Sequence, residues 1–380
     1  MFVACIISIV EWVLLAGRLT RALPAAGIRQ IPRRLLLFII IWLCSGALTL
    51  VHTIGFLLDE LLFRRYRSIS VRQPVFILGI PRSGTTWLHR VLAKDQRFAT
   101  LSLWECLLAP SISERYCYRA MAQVFSPLIA LLNRRAPDFI RRFDSIHTLR
   151  LHEPEEDFLL LAPLHACFLW VILCPQSSHY WQLAYFDQRL SRWRRRLVMT
   201  FYQRCLQKHL YFHGHNKRIL SKNPSFTPLL NTLAAHFPDA RFIACVRDPL
   251  EAVPSQLSSL EPSLQSLGLT MTDSRFQVAI EDMLHYYYQR IRRLRQARQL
   301  IVVEVNQLTQ QLAPCVQSIY AELRWEFTPQ FTSALNAMVK TGSNYQSGHR
   351  YNLQRFNLSA SQLAQRFDDC WPIEPLTIRG

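Results

Sequence analysis

Residues 79–87 read Gly-Ile-Pro-Arg-Ser-Gly-Thr-Thr-Trp, a run in which two glycines, three hydroxyls and one arginine could hold an anion. The four residues before it, Val75, Phe76, Ile77 and Leu78, are β-branched, aromatic or aliphatic and bounded by Pro74 and Gly79, which predicts a buried parallel strand. Helical spacing resumes at Trp87 and runs to Lys94. Strand, glycine-bearing loop and helix N-terminus together present backbone N–H groups and the positive helix end to a negative ligand. The spacing of Gly79 and Gly84 is that of a nucleoside-triphosphate loop, but Thr85 stands where that loop carries its lysine, and the cation has moved into the loop as Arg82. Magnesium-dependent ATP hydrolysis is thereby disfavoured, whereas phosphate binding is not.

A second element of the same kind lies farther along. Residues 231–237 have helical spacing, Pro238 and Asp239 break it, and residues 241–246 read as another buried strand that delivers Arg247-Asp248-Pro249 at its end. Ser255 follows Arg247 by eight residues, on the expected next helix. An arginine fork makes bidentate, charge-assisted contacts with phosphate, and a serine adds a neutral donor. Two anion sites at the C-terminal ends of parallel strands sit where an open α/β sheet binds its ligands. Taken alone, Arg-Asp-Pro is equally a strand-end turn with an internal ion pair.

Pro81-Arg82-Ser83-Gly84-Thr85-Thr86-Trp87 closely resembles the 5′-phosphosulfate loop of the sulfotransferase superfamily, and Arg247 with Ser255 resembles that family's 3′-phosphate site. The arginine in the loop is similar to the bacterial-type and protein-tyrosine branches rather than to the cytosolic branch, which carries lysine. The resemblance runs from about Val75 to about Phe367 and is strongest at these two motifs. It implies an α/β fold with a P-loop-like parallel β-sheet flanked by helices, and 3′-phosphoadenosine 5′-phosphosulfate (PAPS) as the sulfuryl donor. It assigns the 5′-phosphosulfate to Arg82, Ser83, Gly84, Thr85, Thr86 and Trp87, and the 3′-phosphate to Arg247 and Ser255. No metal is expected.

Sulfuryl transfer to a hydroxyl needs a base for the acceptor proton, positive charge on the sulfonate oxygens and in-line positioning. By resemblance to the branches with an arginine loop, Glu105 in Ser-Leu-Trp-Glu is the general base, with an N-capping acid as the plain alternative. Lys222, in Leu-Ser-Lys-Asn-Pro after a short predicted strand, resembles the family lysine that supports transition-state charge. The acidic turn at 152–157, His-Glu-Pro-Glu-Glu-Asp, resembles a segment of bacterial-type relatives, so that Glu153 or Glu156 could shape the acceptor pocket or replace Glu105. Proline and acids at this point also fit a plain helix start. His209, His213 and His215 invite a metal reading, but no acidic ligand is near them in sequence and the segment is basic, so an exposed helix end is the expectation. Relatives carry a tyrosine-bearing motif near the strand at 301–305; here Glu304-Val-Asn-Gln-Leu308 offers no such tyrosine. Residues 347–356 resemble the family's tail, which folds back near the nucleotide.

The elements that position these groups belong to a chain of 380 residues, 50% hydrophobic and 18% charged, with a net charge of 44 − 26 = +18. That field attracts polyanions, among them a phosphorylated donor and anionic lipid headgroups. Charge alone does not choose; with the donor loop read as above, donor and membrane are the expected partners and nucleic acid is not. Ten cysteines are scattered without a Cys-x-x-Cys pair, which speaks against a zinc ribbon. Two apolar stretches open the chain, at 2–16, interrupted by Glu11, and at 35–58, free of charged side chains. The second is long enough to span a bilayer of about 20 helical residues. Arginines flank it on both sides, so that a span and a monotopic hairpin stay equally open. Residues 1–62 are therefore expected to form a membrane-associated helical segment and 73–380 the sulfotransferase domain, at the cytoplasmic face of a bacterial inner membrane. The acceptor is expected to be a hydroxylated lipid, glycan or other amphiphile. The competing readings are another nucleotide-dependent phosphotransferase and a membrane scaffold protein retaining a degenerate donor site.

Overall fold

A computed structural model describes residues 1–26, 28–135, 152–271, 274–342 and 353–378. Two long apolar helices come first, α1 (Phe2–Ala22) and α2 (Ile31–Leu62), joined by 3-10 turns. Strand β1 (Val75–Gly79) then leads through the phosphate loop into α3 (Thr85–Leu92), followed by β2 (Phe98–Ala99), the short α4 (Leu103–Leu107) and α5 (Ile112–Arg135). Helix α6 (Arg192–His213) precedes β3 (Arg218–Lys222), α7 (Leu230–His236) precedes β4 (Arg241–Val246), and α8 (Pro249–Ser266) and α9 (Ser274–Gln296) precede β5 (Ile301–Glu304). The segment at 347–351 that resembles the family's tail, with Arg350, lies outside the described residues.

Among the described residues the strands form one five-stranded parallel sheet in the order β2-β3-β1-β4-β5. Every residue of β1 is buried, as its uninterrupted apolar run requires, because helices cover both faces of a parallel sheet. The chain leaves β1 toward β2 on one side and leaves β4 toward β5 on the other, so the order reverses between β1 and β4. The crevice at that reversal is where such sheets bind ligands. Register aligns the ends that matter: Ile77 pairs with Lys222, and Gly79 with Cys245. Two apolar clusters back the sheet, one holding Phe76, Leu78, Ala244 and Val246, the other Val75, Ile77, Ile243 and Val303. The first cluster extends without a break into α1 and α2 through Leu15, Leu19, Phe38 and Phe56. Eight of the ten cysteines are buried and free, behaving as small hydrophobes; Cys44 and Cys117 are exposed.

Candidate active site

The loop after β1 is held in shape from below. Gly79 has φ +126, and a Cβ there would stand 2.1 Å from the carbonyl oxygen of Cys245, so only glycine lets β1 and β4 come this close at their ends. Thr227 clamps the same residue, accepting from Gly79 N–H at 3.0 Å and donating to its carbonyl at 2.8 Å. The Ser83 hydroxyl is buried and faces the carbonyls of Ile80 and Cys245, the latter at 2.8 Å, so it ties the loop to β4 while its backbone amide stays on the loop. Arg82 is left-handed at φ +66 and Gly84 at φ +84, the sharp reversal that aims successive amides outward at the start of α3. Among the described residues no side chain caps α3, which leaves its first N–H groups for an anion. Thr85 is buried, Thr86 is exposed, and Trp87 packs on the second apolar cluster.

The two anion motifs meet. Arg82 Nε lies 3.3 Å from Ser255 Oγ, and the Arg247 guanidinium donates to the Arg82 carbonyl at 3.4 Å. Arg247 is further held by Glu251, one helical turn on at 2.7 Å, and its own carbonyl accepts from Tyr288 at 2.5 Å. Ser255 sits in α8, nearly fully buried. Residues 173 positions apart in the chain thus meet at the C-terminal edge of the sheet, where two arginines, a serine and uncapped amides gather positive charge and donors suited to an anionic ligand.

Lys222 extends the crevice toward β3. Its side chain is 1% exposed, and Nζ reaches Thr86 Oγ1 at 3.3 Å, Glu155 Oε1 at 3.3 Å and Glu156 Oε1 at 2.9 Å. One cation therefore stands between the anion loop and a pair of carboxylates. Burial raises the Glu156 carboxyl above the usual glutamate range and Glu155 adds to this, with Lys222 opposing them in part. His89 lies behind Lys222; burial, reinforced by the lysine, pushes it down to about 3, so its imidazole adds no charge. The turn is anchored by Asp157, which is fully buried and accepts from Tyr202 (2.5 Å), Ser221 (2.8 Å) and Asn223. Asn223 in turn accepts from the Phe158 amide at 3.0 Å. Asp157 therefore fixes the residues on either side of Lys222 and the residue next to Glu156. The acidic turn with Glu156 is the one the sequence marks; what no local spacing announces is that Lys222 and Asn223, 66 residues from Glu156 and Asp157, meet it.

Glu105 stands in a different setting from a free base. It is the third residue of α4 and completes a capping box: Oε2 accepts from Ser102 N–H at 3.0 Å and from Ser102 Oγ at 2.6 Å. Oε1 meets His213 Nε2 at 2.5 Å, with Arg115 at 3.4 Å and His209 at 3.6 Å. Burial alone would raise this carboxyl, but His213, His209 and Arg115 outweigh it and hold the group well below the usual range. The capping box also carries the acidic turn, because Ser102 bridges Pro154 and the Leu101 carbonyl accepts from Glu155 N–H at 2.9 Å. The histidines at the end of α6 are not an exposed pair: His209 is 1% exposed and only His213 reaches solvent. Glu105, 104 residues away, is the partner that buries them. Glu105, His209 and His213 have ligand atoms within 4.8 Å of one another, as a metal would need. The Arg115 guanidinium, 3.2 Å from His209 Nδ1, already supplies positive charge there, which works against a cation in the same place.

A model of the sulfotransferase family matches residues 74–329. Two curated relatives, the omega-hydroxy-beta-dihydromenaquinone-9 sulfotransferases Stf3 of Mycobacterium bovis and Mycobacterium tuberculosis, are each 28% identical over 262 residues. That match covers 67% of this chain and 62% of theirs, so the chain spans less than two thirds of the relatives' length. Among solved structures, sulfotransferase STF9 from Mycobacterium avium superposes with a TM-score of 0.70 at 19% identity, over 96% of this chain and 91% of that one. Sulfotransferase STF1 from Mycobacterium tuberculosis H37Rv gives 0.62 at 19% identity, over 94% and 92%. At that identity these two speak for the fold alone.

Proposed function

This chain belongs to the sulfotransferase family, and we propose that it transfers a sulfuryl group from PAPS to a hydroxyl of a lipid or other amphiphilic acceptor at a membrane. The observation that carries the reading is Lys222, whose ammonium touches both the phosphate loop, at Thr86, and the carboxylate of Glu156. Bound PAPS would supply a sulfonate activated by an adenosine bisphosphate leaving group. In this reading the amides of Thr85, Thr86 and Trp87, with Gly84 and Ser83 shaping the turn and Arg82 beside them, hold the 5′ end. Arg247 and Ser255 hold the 3′-phosphate. Lys222 neutralises charge on the sulfonate oxygens, a role suited to a point charge with rotatable donors.

For the acceptor proton the same reading favours Glu156 over Glu105. Glu156 has a carboxyl raised toward working pH and a side chain 28% exposed, whereas Glu105 is depressed and saturated with donors. A stronger base that remains reachable is the better proton acceptor. Glu105 then acts as a positioning residue, holding Leu101 and Ser102, which hold the acidic turn. A lipid acceptor agrees with the two apolar N-terminal helices and with the menaquinone derivative named for the curated relatives. The test is thermal stabilisation by 3′,5′-adenosine bisphosphate against ATP, followed by transfer from radiolabelled PAPS to a lipid extract. Equal shifts with the two nucleotides would sink the donor, and label confined to water-soluble products would sink the lipid acceptor.

A further inference from the structure

Helices α1 and α2 form an antiparallel hairpin locked at its middle: Trp12 and Trp42 stack at 4.7 Å, and each indole N–H donates to the other's carbonyl, at 2.9 and 3.2 Å. Each helix has two faces. On α1, Val3, Ile6, Val10, Val13 and Leu14 are exposed; on α2, so are Leu36, Ile40, Leu43, Ile54 and Leu61. The opposite faces are bolted to the catalytic body by buried polar contacts in the middle of α1 and in the last third of α2. Glu11 pairs with Arg194 at 2.8 Å, His52 with Glu114 at 2.6 Å, and Asp59 with Lys208 at 2.7 Å, this last pair fully buried. The turn end is attached too, since Gln30 packs on Gly268, whose added Cβ would lie 3.3 Å from Gln30 Cγ.

At 1.5 Å per residue, α2 is about 48 Å long and α1 about 32 Å, enough for a hydrocarbon core of about 30 Å. A spanning pair would carry its turn to the far side of that core, away from the body. Here the turn and the opposite end both touch the same body. We infer that the hairpin lies in the plane of the membrane, with its exposed apolar stripe sunk into one leaflet, and does not cross. This rests on the membrane reading above and settles the topology left open by the sequence. The charge at the rim names the lipid: exposed Arg21, Arg29 and Arg33 stand at the turn end and exposed Arg64, Arg65 and Arg72 at the other, which fits anionic headgroups. An amphipathic helix of this kind buries its apolar face about 5–10 Å deep.

The test uses the full chain bound from outside to sealed vesicles, of phosphatidylcholine alone or with phosphatidylglycerol. Exposed Cys44 and Cys117 are changed to serine, and Arg29→Cys or Arg64→Cys is introduced. An impermeant maleimide added outside is expected to label both introduced cysteines equally, and a nitroxide at Val10→Cys or Ile40→Cys to report shallow burial. Binding should fall about fivefold for each rim arginine changed to glutamine, the factor for one basic side chain at an anionic surface. Arg29→Cys labelled only after the vesicles are opened would overturn the in-plane placement while leaving membrane attachment intact. No binding to either vesicle, with a dimer in sedimentation, would overturn both readings and assign the stripe to a second copy.

Discussion

Replacing Glu105 and Glu156 by glutamine, one at a time, separates the two roles a carboxylate can play here. Glu105 sits among Ser102, His213, His209 and the fully buried Arg115, whose other partners are the Ala109 carbonyl and His209. Loss of its charge leaves the Arg115 guanidinium uncompensated in the core, and removing one member of a buried pair costs about 3–5 kcal/mol. Glutamine keeps an acceptor for the capping box, which spares a further loss of roughly 1 kcal/mol; the net expectation stays at about 3–5 kcal/mol. Glu156 is part-exposed, and its loss leaves the buried Lys222 still paired with Glu155 at 3.3 Å, so the cost in stability is expected to be the smaller one, about 1 kcal/mol. Glu156→Gln should therefore leave the denaturation midpoint and adenosine bisphosphate binding nearly unchanged, while turnover falls by about 10²–10⁴-fold, the scale of a general base. Glu105→Gln should show the reverse pattern, a lowered midpoint with turnover per folded molecule within about tenfold of the parent. Chemical denaturation, calorimetric titration and single-turnover transfer read the three quantities. A stable Glu105→Gln that binds nucleotide but has lost transfer, beside an active Glu156→Gln, would refute the assignment and return the base to Glu105.

The pH dependence carries the same signature. Because the Glu156 carboxyl is raised, protonation removes the base at a higher pH than for an ordinary glutamate, so the acid limb of kcat/KM should lie above the usual carboxylate range and vanish in Glu156→Gln. Stability follows Glu105 with the opposite sign: its depressed carboxyl contributes above the ordinary value, and that contribution is lost as pH falls through the depressed one, so acid unfolding should begin earlier in Glu105→Gln. Arg247→Ala and Ser255→Ala should each weaken 3′,5′-adenosine bisphosphate by about 10–100-fold, the worth of a hydrogen bond to a charged group. Binding of 5′-AMP should be spared, and equal losses for both nucleotides would place these residues elsewhere. Gly79→Ala should abolish nucleotide binding or soluble yield, because its Cβ meets backbone that cannot retreat.

Strands β1 and β4 were legible because each is an unbroken apolar run bounded by breakers, and their ends deliver Arg82 and Arg247 at fixed offsets. The binding loops could be named for the same reason, since their residues are contiguous or eight apart. Lys222 and Glu156 are 66 residues apart and meet only because β3 pairs with β1 and the acidic turn is bridged to Ser102. No periodicity encodes that. His209 looked exposed because its segment is basic; the acid that buries it comes from α4. The same distance hid the contacts between the N-terminal helices and the body: Glu11 reads as a blemish in an apolar run until Arg194 is placed beside it.

The buried pair Asp59–Lys208 also has a history in time. The hairpin is complete once residue 62 is made, yet Lys208, Arg194 and the β3 strand that flanks central β1 are encoded far downstream. At about 5–20 residues per second, the 208 − 62 = 146 residues from the end of α2 to Lys208 leave Asp59 without its buried partner for about 7–30 seconds. During that interval both of its faces, the greasy and the charged, are unaccompanied. A newborn chain that meets a lipid surface early would have half of this problem solved before the catalytic body exists to solve the rest.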